Sequence, residues 1–304
     1  MYNSQELYEI IERNALMLQF SNDATTALLC AFNQIAMVQK EYHEFASEVE
    51  KYKNNINIDF TGIFDEVKEI GKRLVINEYT LYMILFLALA DVMRDHYDRS
   101  GINRSIFMNT LRDLKYQLDI CFDLYGIWGH SAPTWQIGFL RCTTLAFGRL
   151  QFQFCKFNKT YNLDTCKLTP DSKVLFIHIP RTGERLDHAR VVESYQLAAE
   201  YFTPFFVDEP VVFACNSWIL YPKNLEFLSE GSNLRAFYDD FNIISVEEYQ
   251  DYKETWRLFD KLYTGNPDEM PQDTSLRRAY VEMMKRGEKT GRALGVFIYG
   301  QPQS

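Results

Sequence analysis

From Ser4 to about Gly148 the apolar residues recur at helical spacing, as in Leu81, Ile84, Leu85, Ala88 and Val92. Breaks fall near Asn22-Asp23, Asn54-Asn55, Ser100-Gly101 and Ala132-Pro133, so this half is expected to be nearly all helix. The stretch Tyr125 to Pro133 is dense in glycine, proline and large aromatics and predicts an ordered loop packed at a domain junction. A last helix, Thr134 to Phe147, is expected after it. At Arg149 the period changes: Leu150 to Phe157 alternates apolar and polar, the pattern of a strand with one buried face. A turn-rich stretch with Asn162, Asp164 and Pro170 leads to a second strand, Val174 to Pro180, expected to pair antiparallel with the first. Next comes a helix, Asp187 to Phe202, whose buried stripe reads Val192, Tyr195, Ala199, Phe202. There follow a strand at Val211 to Tyr221, a helix Leu234 to Phe241 capped by Ser232-Asn233, and a short strand at Ile243 to Val246. Helices at 247–263 and 274–286 and a final strand, Ala293 to Tyr299, complete the order. The expected architecture is α+β: a helical domain over 1–148, then a mixed α/β domain over 149–304.

Composition narrows the function. The 304 residues are 47% hydrophobic and 24% charged, the balance of a soluble globular chain. The net charge of −9 and the lack of a basic run argue against nucleic acid, whose phosphates demand clustered positive charge. Tyr82 to Ala90, the longest apolar run, is half the length of a membrane span and predicts a buried helix segment. Cysteines at 30, 121, 142, 155, 166 and 215 show no C-x-x-C spacing and read as reduced thiols. With a polar, acidic start lacking any signal-like block, they predict a cytoplasmic protein. Histidines at 43, 96, 130, 178 and 188 lack metal-site spacing, and Asp91, Asp95 and His96 read as one polar helix face, so no metal is expected. The 23 Phe and 19 Tyr predict a bulky core.

One junction carries ligand chemistry. The strand Val174 to Pro180 runs into the turn Arg181-Thr182-Gly183-Glu184-Arg185 and then into the helix start near Asp187. A helix N-terminus offers unpaired N–H groups and partial positive charge, and two arginines with a glycine beside it suit a phosphate. Arg181, Thr182, Gly183 and Arg185 are the expected anion binders; His188, in the helix's first turn, is expected to face solvent, with a phosphate contact as the alternative. Glu184 would repel the anion if it pointed inward. The string Glu288 to Ala293 has similar spacing but leads into a strand, so no helix N-terminus follows it. Cys215, Asn216 and Ser217 are consecutive polar residues in a strand, and alternation puts Asn216 on the face opposite to the other two.

The order of elements after residue 148 resembles the acyl-CoA-binding half of the GNAT-like N-acyltransferases. Three strings carry a closer likeness: Phe147-Gly148-Arg149-Leu150-Gln151-Phe152, Ile177-His178-Ile179-Pro180, and Cys215-Asn216-Ser217-Trp218-Ile219-Leu220-Tyr221-Pro222. They resemble a bacterial family of acyltransferase-domain proteins with a helical N-terminal domain and a GNAT-like C-terminal domain. The resemblance implies an acyl-CoA-dependent N-acyltransferase, moving acetyl or another acyl group from acyl-CoA directly to a small-molecule amine. It implies the turn as pyrophosphate site, Asn216 or Ser217 on the pantetheine amides, His178 as base, and Tyr221 or Tyr299 as acid for the leaving thiolate. The helical domain would close the acceptor pocket, with the aromatic loop 125–135 facing it. The turn departs from the GNAT pattern: it has one glycine, shifted by one, and an acid inside it. That departure supports the alternative of a catalytically silent GNAT-like module for ligand sensing or protein interaction.

Overall fold

A computed structural model describes residues 2–163, 167–207 and 209–300, so Asp164 and Cys166 lie outside the described residues. The chain divides into two compact units, Met1–Leu145 and Ala146–Ser304.

The first unit is built on α1 (Ser4–Met17), α2 (Asn22–Ala36), α3 (Gln39–Asn54), α4 (Phe60–Leu74), α5 (Glu78–Arg99), α6 (Arg104–Leu111) and α7 (Asp113–Tyr125). Side-chain oxygens of Asn3, Ser21, Asp59, Asn77 and Asn103 cap α1, α2, α4, α5 and α6 by accepting backbone N–H bonds that the first turn leaves open. Every residue from Leu81 to Ala90 is buried, so α5 is apolar all round and serves as the axis on which α1 to α4 pack. No helix of the described residues is long and apolar enough to cross a membrane.

The aromatic loop after α7 is ordered because it is strapped to α5. His130 N–H donates to Tyr79 O at 2.9 Å, and Thr80 Oγ1 donates to Trp128 O at 3.1 Å. Gly129 permits this approach, since a Cβ there would lie 2.5 Å from the Tyr79 carbonyl carbon. The single helix expected over Thr134 to Phe147 does not form. A 3-10 turn, Pro133–Gln136, and a short α8 (Ile137–Leu140) are followed by β1 (Thr144–Phe147). Cys142 takes a left-handed φ of 56°, and Thr144 folds back so closely that a Cβ on Gly138 would lie 2.3 Å from its Oγ1. The reversal ends the helix.

The second unit holds β2 (Leu150–Lys156), β3 (Tyr161–Asn162), β4 (Lys167–Leu168), β5 (Lys173–His178), α9 (His188–Phe202), β6 (Val212–Ser217), α10 (Asn233–Asp239), β7 (Asn242–Glu248), α11 (Trp256–Phe259), α12 (Ser275–Lys285) and β8 (Gly291–Ile298). The main sheet has the order β1-β2-β5-β6-β8-β7, and β3 and β4 form a separate hairpin. β2 and β5 pair antiparallel as expected, while β5 and β6 are parallel and joined through α9, the connection a parallel neighbour needs. On one face Val174, Val212, Ala214, Leu294 and Val296 form a core with Phe157 and Leu168. The other face presents Phe213 and Phe297, on which Tyr195 of α9 packs.

Three further expectations change. β6 ends at Ser217, whose hydroxyl accepts from Ile219 N–H at 3.2 Å and starts a 3-10 turn, so Tyr221 is not in the strand. The helix expected at 247–263 is instead the end of β7, a 3-10 turn and the four-residue α11. Glu247 pairs with Arg292 across the ladder (2.9 Å) and Tyr249 N–H reaches Thr290 O, cross-strand contacts that outweigh local helix preference. In α9, Tyr195, Ala199 and Phe202 are buried as expected, but Val192 is 47% exposed and Val191 opens the stripe in its place.

His130 yields a test. Its Nδ1 accepts from Ala132 N–H at 3.2 Å, so the ring proton sits on Nε2, which is buried with no hydrogen-bond partner. Burial lowers its pKa from 6.5 to about 3. Above pH 6.5 the ring is neutral in both folded and unfolded chains. As pH falls from 6.5 toward 3 only the unfolded chain takes the proton, and stability is lost. Replacing His130 by Asn keeps an acceptor near the Ala132 N–H and removes the titration. The pH dependence of stability over that window should then flatten by about 1.4 kcal/mol per pH unit, read from denaturant unfolding at several pH values. Parallel curves for the two proteins would rule the account out.

Candidate functional site

The site is built where β5 and β6 part. Their register holds only at Leu175↔Phe213 and Phe176↔Ala214. Beyond that point β5 stays with β2 to the pair Gln151↔His178, and β6 stays with β8 to Ser217↔Ala293. The two strands therefore open into a wedge, and His178 and Asn216 each sit two residues past the last shared pair. Alternation places both on the Val174/Ala214 face, so the structure brings these two candidates together. Asn216 is exposed there. Cys215 is buried on the opposite face, its thiol pKa raised by burial, and the Ser217 hydroxyl is occupied as the cap of the following turn.

His178 Nε2 lies 3.2 Å from Gln153 Oε1, and its ring is 5.6 Å from that of Phe176. Desolvation pushes its pKa down to about 4, so the imidazole is neutral at pH 7. The tyrosines are elsewhere. Tyr221 is buried over Gly291, where a Cβ would come within 2.8 Å of its ring. Its hydroxyl donates to Glu248 Oε1 at 3.3 Å, and burial, then the Glu248 charge, raises its pKa. Gly291 shares a face with Phe297, opposite to His178. Tyr299 follows the end of β8, its N–H on Val211 O. Since β8 runs antiparallel to β6, that end is five residues from the wedge, roughly 17 Å at strand spacing. Tyr299 cannot serve the same centre as His178.

The turn after β5 is held from below by Arg149, which is 6% exposed. Its guanidinium donates to Pro180 O at 3.0 Å and to Glu184 O at 3.3 Å. Its backbone N–H donates to Ser194 Oγ at 2.7 Å, and Ser194 in turn donates to Arg190 O. Thr182 Oγ1 accepts from Glu184 N–H at 3.2 Å, and Gly183 supplies the left-handed φ of 77°. Glu184 is turned outward onto Arg190, Oε2 to Nη1 2.5 Å, so the repulsion expected of it does not arise. Arg185 is exposed, while Arg181 Nε lies 2.7 Å from Asp260 Oδ1. His188 is half-buried and engaged away from the turn: its Nε2 is 3.0 Å from both Asp240 oxygens, and Tyr195 donates to the same carboxylate.

Part of the α9 N-terminus is already satisfied. Asp187 caps it through Arg190 N–H, and Asn233 Oδ1 accepts from His188 N–H at 3.4 Å. Among the described residues no protein acceptor takes the N–H of Gly183, Arg185 or Ala189. The N–H groups left open thus lie in the turn, beside its arginines, more than at the helix end. Arg149, Gln153 and Asp260 were not anticipated. The Gly-Arg pair opening β2 was a usable signal for the first, but Asp260 lies 79 residues from Arg181 and nothing local announces it. No group of three or more potential metal ligands occurs among the described residues.

A parallel strand pair that opens above an amide-lined, arginine-bearing turn and a crossover helix defines a GNAT-like fold. Residues 144–297 match the GNAT-like C-terminal domain and residues 12–142 the N-acyltransferase N-terminal domain; the chain belongs to the family that joins them. A solved acyltransferase in complex with decanoyl-CoA aligns over 94% of this chain and 98% of its own, with 18% identity and a TM-score of 0.68. Structures of an acyltransferase with decanoyl-CoA and teicoplanin, and with CoA and 10C-teicoplanin, align over 73% of this chain and 67% of theirs, at 24% identity and a TM-score of 0.63. No curated protein matches the chain in sequence.

Gly148 tests the support of the turn. It has a φ of 57°, and a Cβ there would meet Ser194 Oγ at 2.6 Å, disturbing the hydroxyl that links Arg149 to α9. Gly148→Ala should lower stability by about 1 kcal/mol or more in equilibrium unfolding. A variant as stable as the parent would show that this contact is not needed.

Proposed function

We propose that the protein is an acyl-CoA-dependent acyltransferase acting on the amine of a small-molecule acceptor. The observation that carries this reading is the wedge between β5 and β6 opening toward the amide-lined turn at 181–187. A pantetheine arm lying between the strands delivers its pyrophosphate to Arg181, Thr182, Gly183 and Arg185 and its amide groups to the strand edges and Asn216. The complexes of the similar structures with decanoyl-CoA and with teicoplanin support an acyl-CoA donor, acetyl-CoA or a longer one, and a small-molecule acceptor. In the transfer the amine nitrogen attacks the thioester carbonyl, the C–S bond breaks, the sulfur leaves as thiolate and takes up the proton the nitrogen loses.

His178 enters as a neutral imidazole. A pKa of about 4 makes it too weak to strip an ammonium group, so the acceptor arrives deprotonated and His178 accepts a hydrogen bond that aims its lone pair. A silent ligand-sensing module is the second reading, favoured by the capping of the α9 N-terminus by Asp187 and Asn233.

Thermal shift with acetyl-CoA, decanoyl-CoA and free CoA tests the donor. A ligand at a hundred times its dissociation constant should add about 2.7 kcal/mol of stability. Absence of any shift would remove the transferase. The double substitution Arg181→Ala, Arg185→Ala should abolish the shift, and retained binding would mean the turn is not the phosphate site. Thiol release from acyl-CoA with a panel of amines separates the two readings, because the silent module binds without turnover.

His178→Ala should lower kcat by about 10-fold or more while CoA affinity holds. Undiminished turnover would return His178 to a structural role.

A further inference from the structure

The acid beside Arg181 is not a loose surface partner. Asp260 follows α11 in the left-handed region, φ 54°, with its N–H bonded to Trp256 O at 2.8 Å. One carboxylate oxygen lies 2.7 Å from Arg181 Nε and the other 2.6 Å from Arg277 Nη2. Arg277 is only 16% exposed and is itself fixed, donating through Nε to Leu258 O at 2.9 Å and through Nη1 to Asp273 at 3.0 Å. Around it Phe259, Met270, Tyr280, Val281, Met283 and Met284 form a separate core. The place of Asp260 is therefore set by the packing of the α11–α12 segment, and the turn residue is the outer member of the chain of ion pairs.

We propose that Asp260 is a positioning residue for anion binding, holding the guanidinium of Arg181 in the orientation that meets the phosphate. The inference rests on the reading of the turn as a CoA site. A guanidinium is a rigid planar fork of five donors, so gripping Nε fixes the plane in which the other donors lie. The grip removes rotamer freedom that a phosphate would otherwise have to remove on binding. What it adds is direction rather than charge: with Asp273 on Arg277 the two guanidiniums and two carboxylates of this chain of ion pairs balance, and the uncompensated positive charge of the turn is left to Arg185. Arg277 keeps Asp260 in place whether or not the anion is present.

The test is a double-mutant cycle on the full chain, titrating CoA and, separately, inorganic pyrophosphate by calorimetry into the parent, Arg181→Ala, Asp260→Asn and the double variant. Asp260→Asn should weaken both ligands about tenfold in the parent background and by no more than about twofold once Arg181 is gone. With acyl-CoA as substrate its KM should rise while kcat at saturation stays at the parent value. Unchanged or tighter binding by Asp260→Asn overturns the inference. Equal losses in the two backgrounds also overturn it, since the acid would then act through something other than Arg181. Asp260→Ser carries the same expectations if Asp260→Asn fails to fold. A parent that binds pyrophosphate but not CoA would sink the acyl-CoA reading and leave Asp260 to be judged by the pyrophosphate cycle; binding of neither would sink both.

Discussion

Two backbone pairs, Leu175↔Phe213 and Phe176↔Ala214, are the whole of the ladder between β5 and β6, and the site depends on how short it is. A parallel pair that continued to His178 and Asn216 would use its own N–H and C=O groups and leave no cleft. Each strand is held instead by its outer neighbour, β2 on one side and β8 on the other, so both stay extended while the backbone groups on their facing edges are left outside the β5–β6 ladder. The apolar core at Val174, Val212, Ala214 and Val296 sits below the point of divergence and keeps the lower halves together. Cohesion below and divergence above turn a continuous sheet into a binding wedge, with α9 and its preceding turn at the rim.

Much of this was legible in the chain. The change from a 3.6-residue to a two-residue period at Arg149 marks the passage from helices to sheet, and the structural division falls a few residues earlier because β1 begins the sheet at Thr144. The antiparallel β2–β5 pair, the cap of α10 at Ser232 and the strand, turn and helix order around 174–202 follow from local pattern alone. The misread segments share a cause: long-range pairing decided against local preference. Glu247 and Glu248 belong to a helix-like run until Arg292 and Gly291 are set opposite them. Gly138 and Thr144 read as helix until the chain folds one onto the other.

The electrostatics of the turn were legible only in part. Sequence gives its two arginines, its threonine, its glycine and its one acid, but not which way the acid faces. Glu184 turns away to Arg190, and the acid that does reach the turn, Asp260, comes from a segment whose place is fixed by another core. Arg149 likewise does its work from beneath, through two carbonyls rather than through a ligand. The departure of the turn from the usual glycine spacing is thus offset by support from side chains remote in sequence.

The chemical role left to His178 follows from its surroundings. A histidine that served as a strong base would need its protonated form to be favoured, and here burial beside Gln153 and Phe176 disfavours it. An amide oxygen 3.2 Å from Nε2 orients the ring but supplies no charge, and desolvation then drives the pKa to about 4. Such a group is well suited to fixing the direction of a neutral amine and poorly suited to making one. In the acyl transfer proposed above, the proton would then leave by way of solvent or the departing sulfur, and an acceptor whose amine is already neutral near pH 7 would suit such a histidine better than a strongly basic alkylamine.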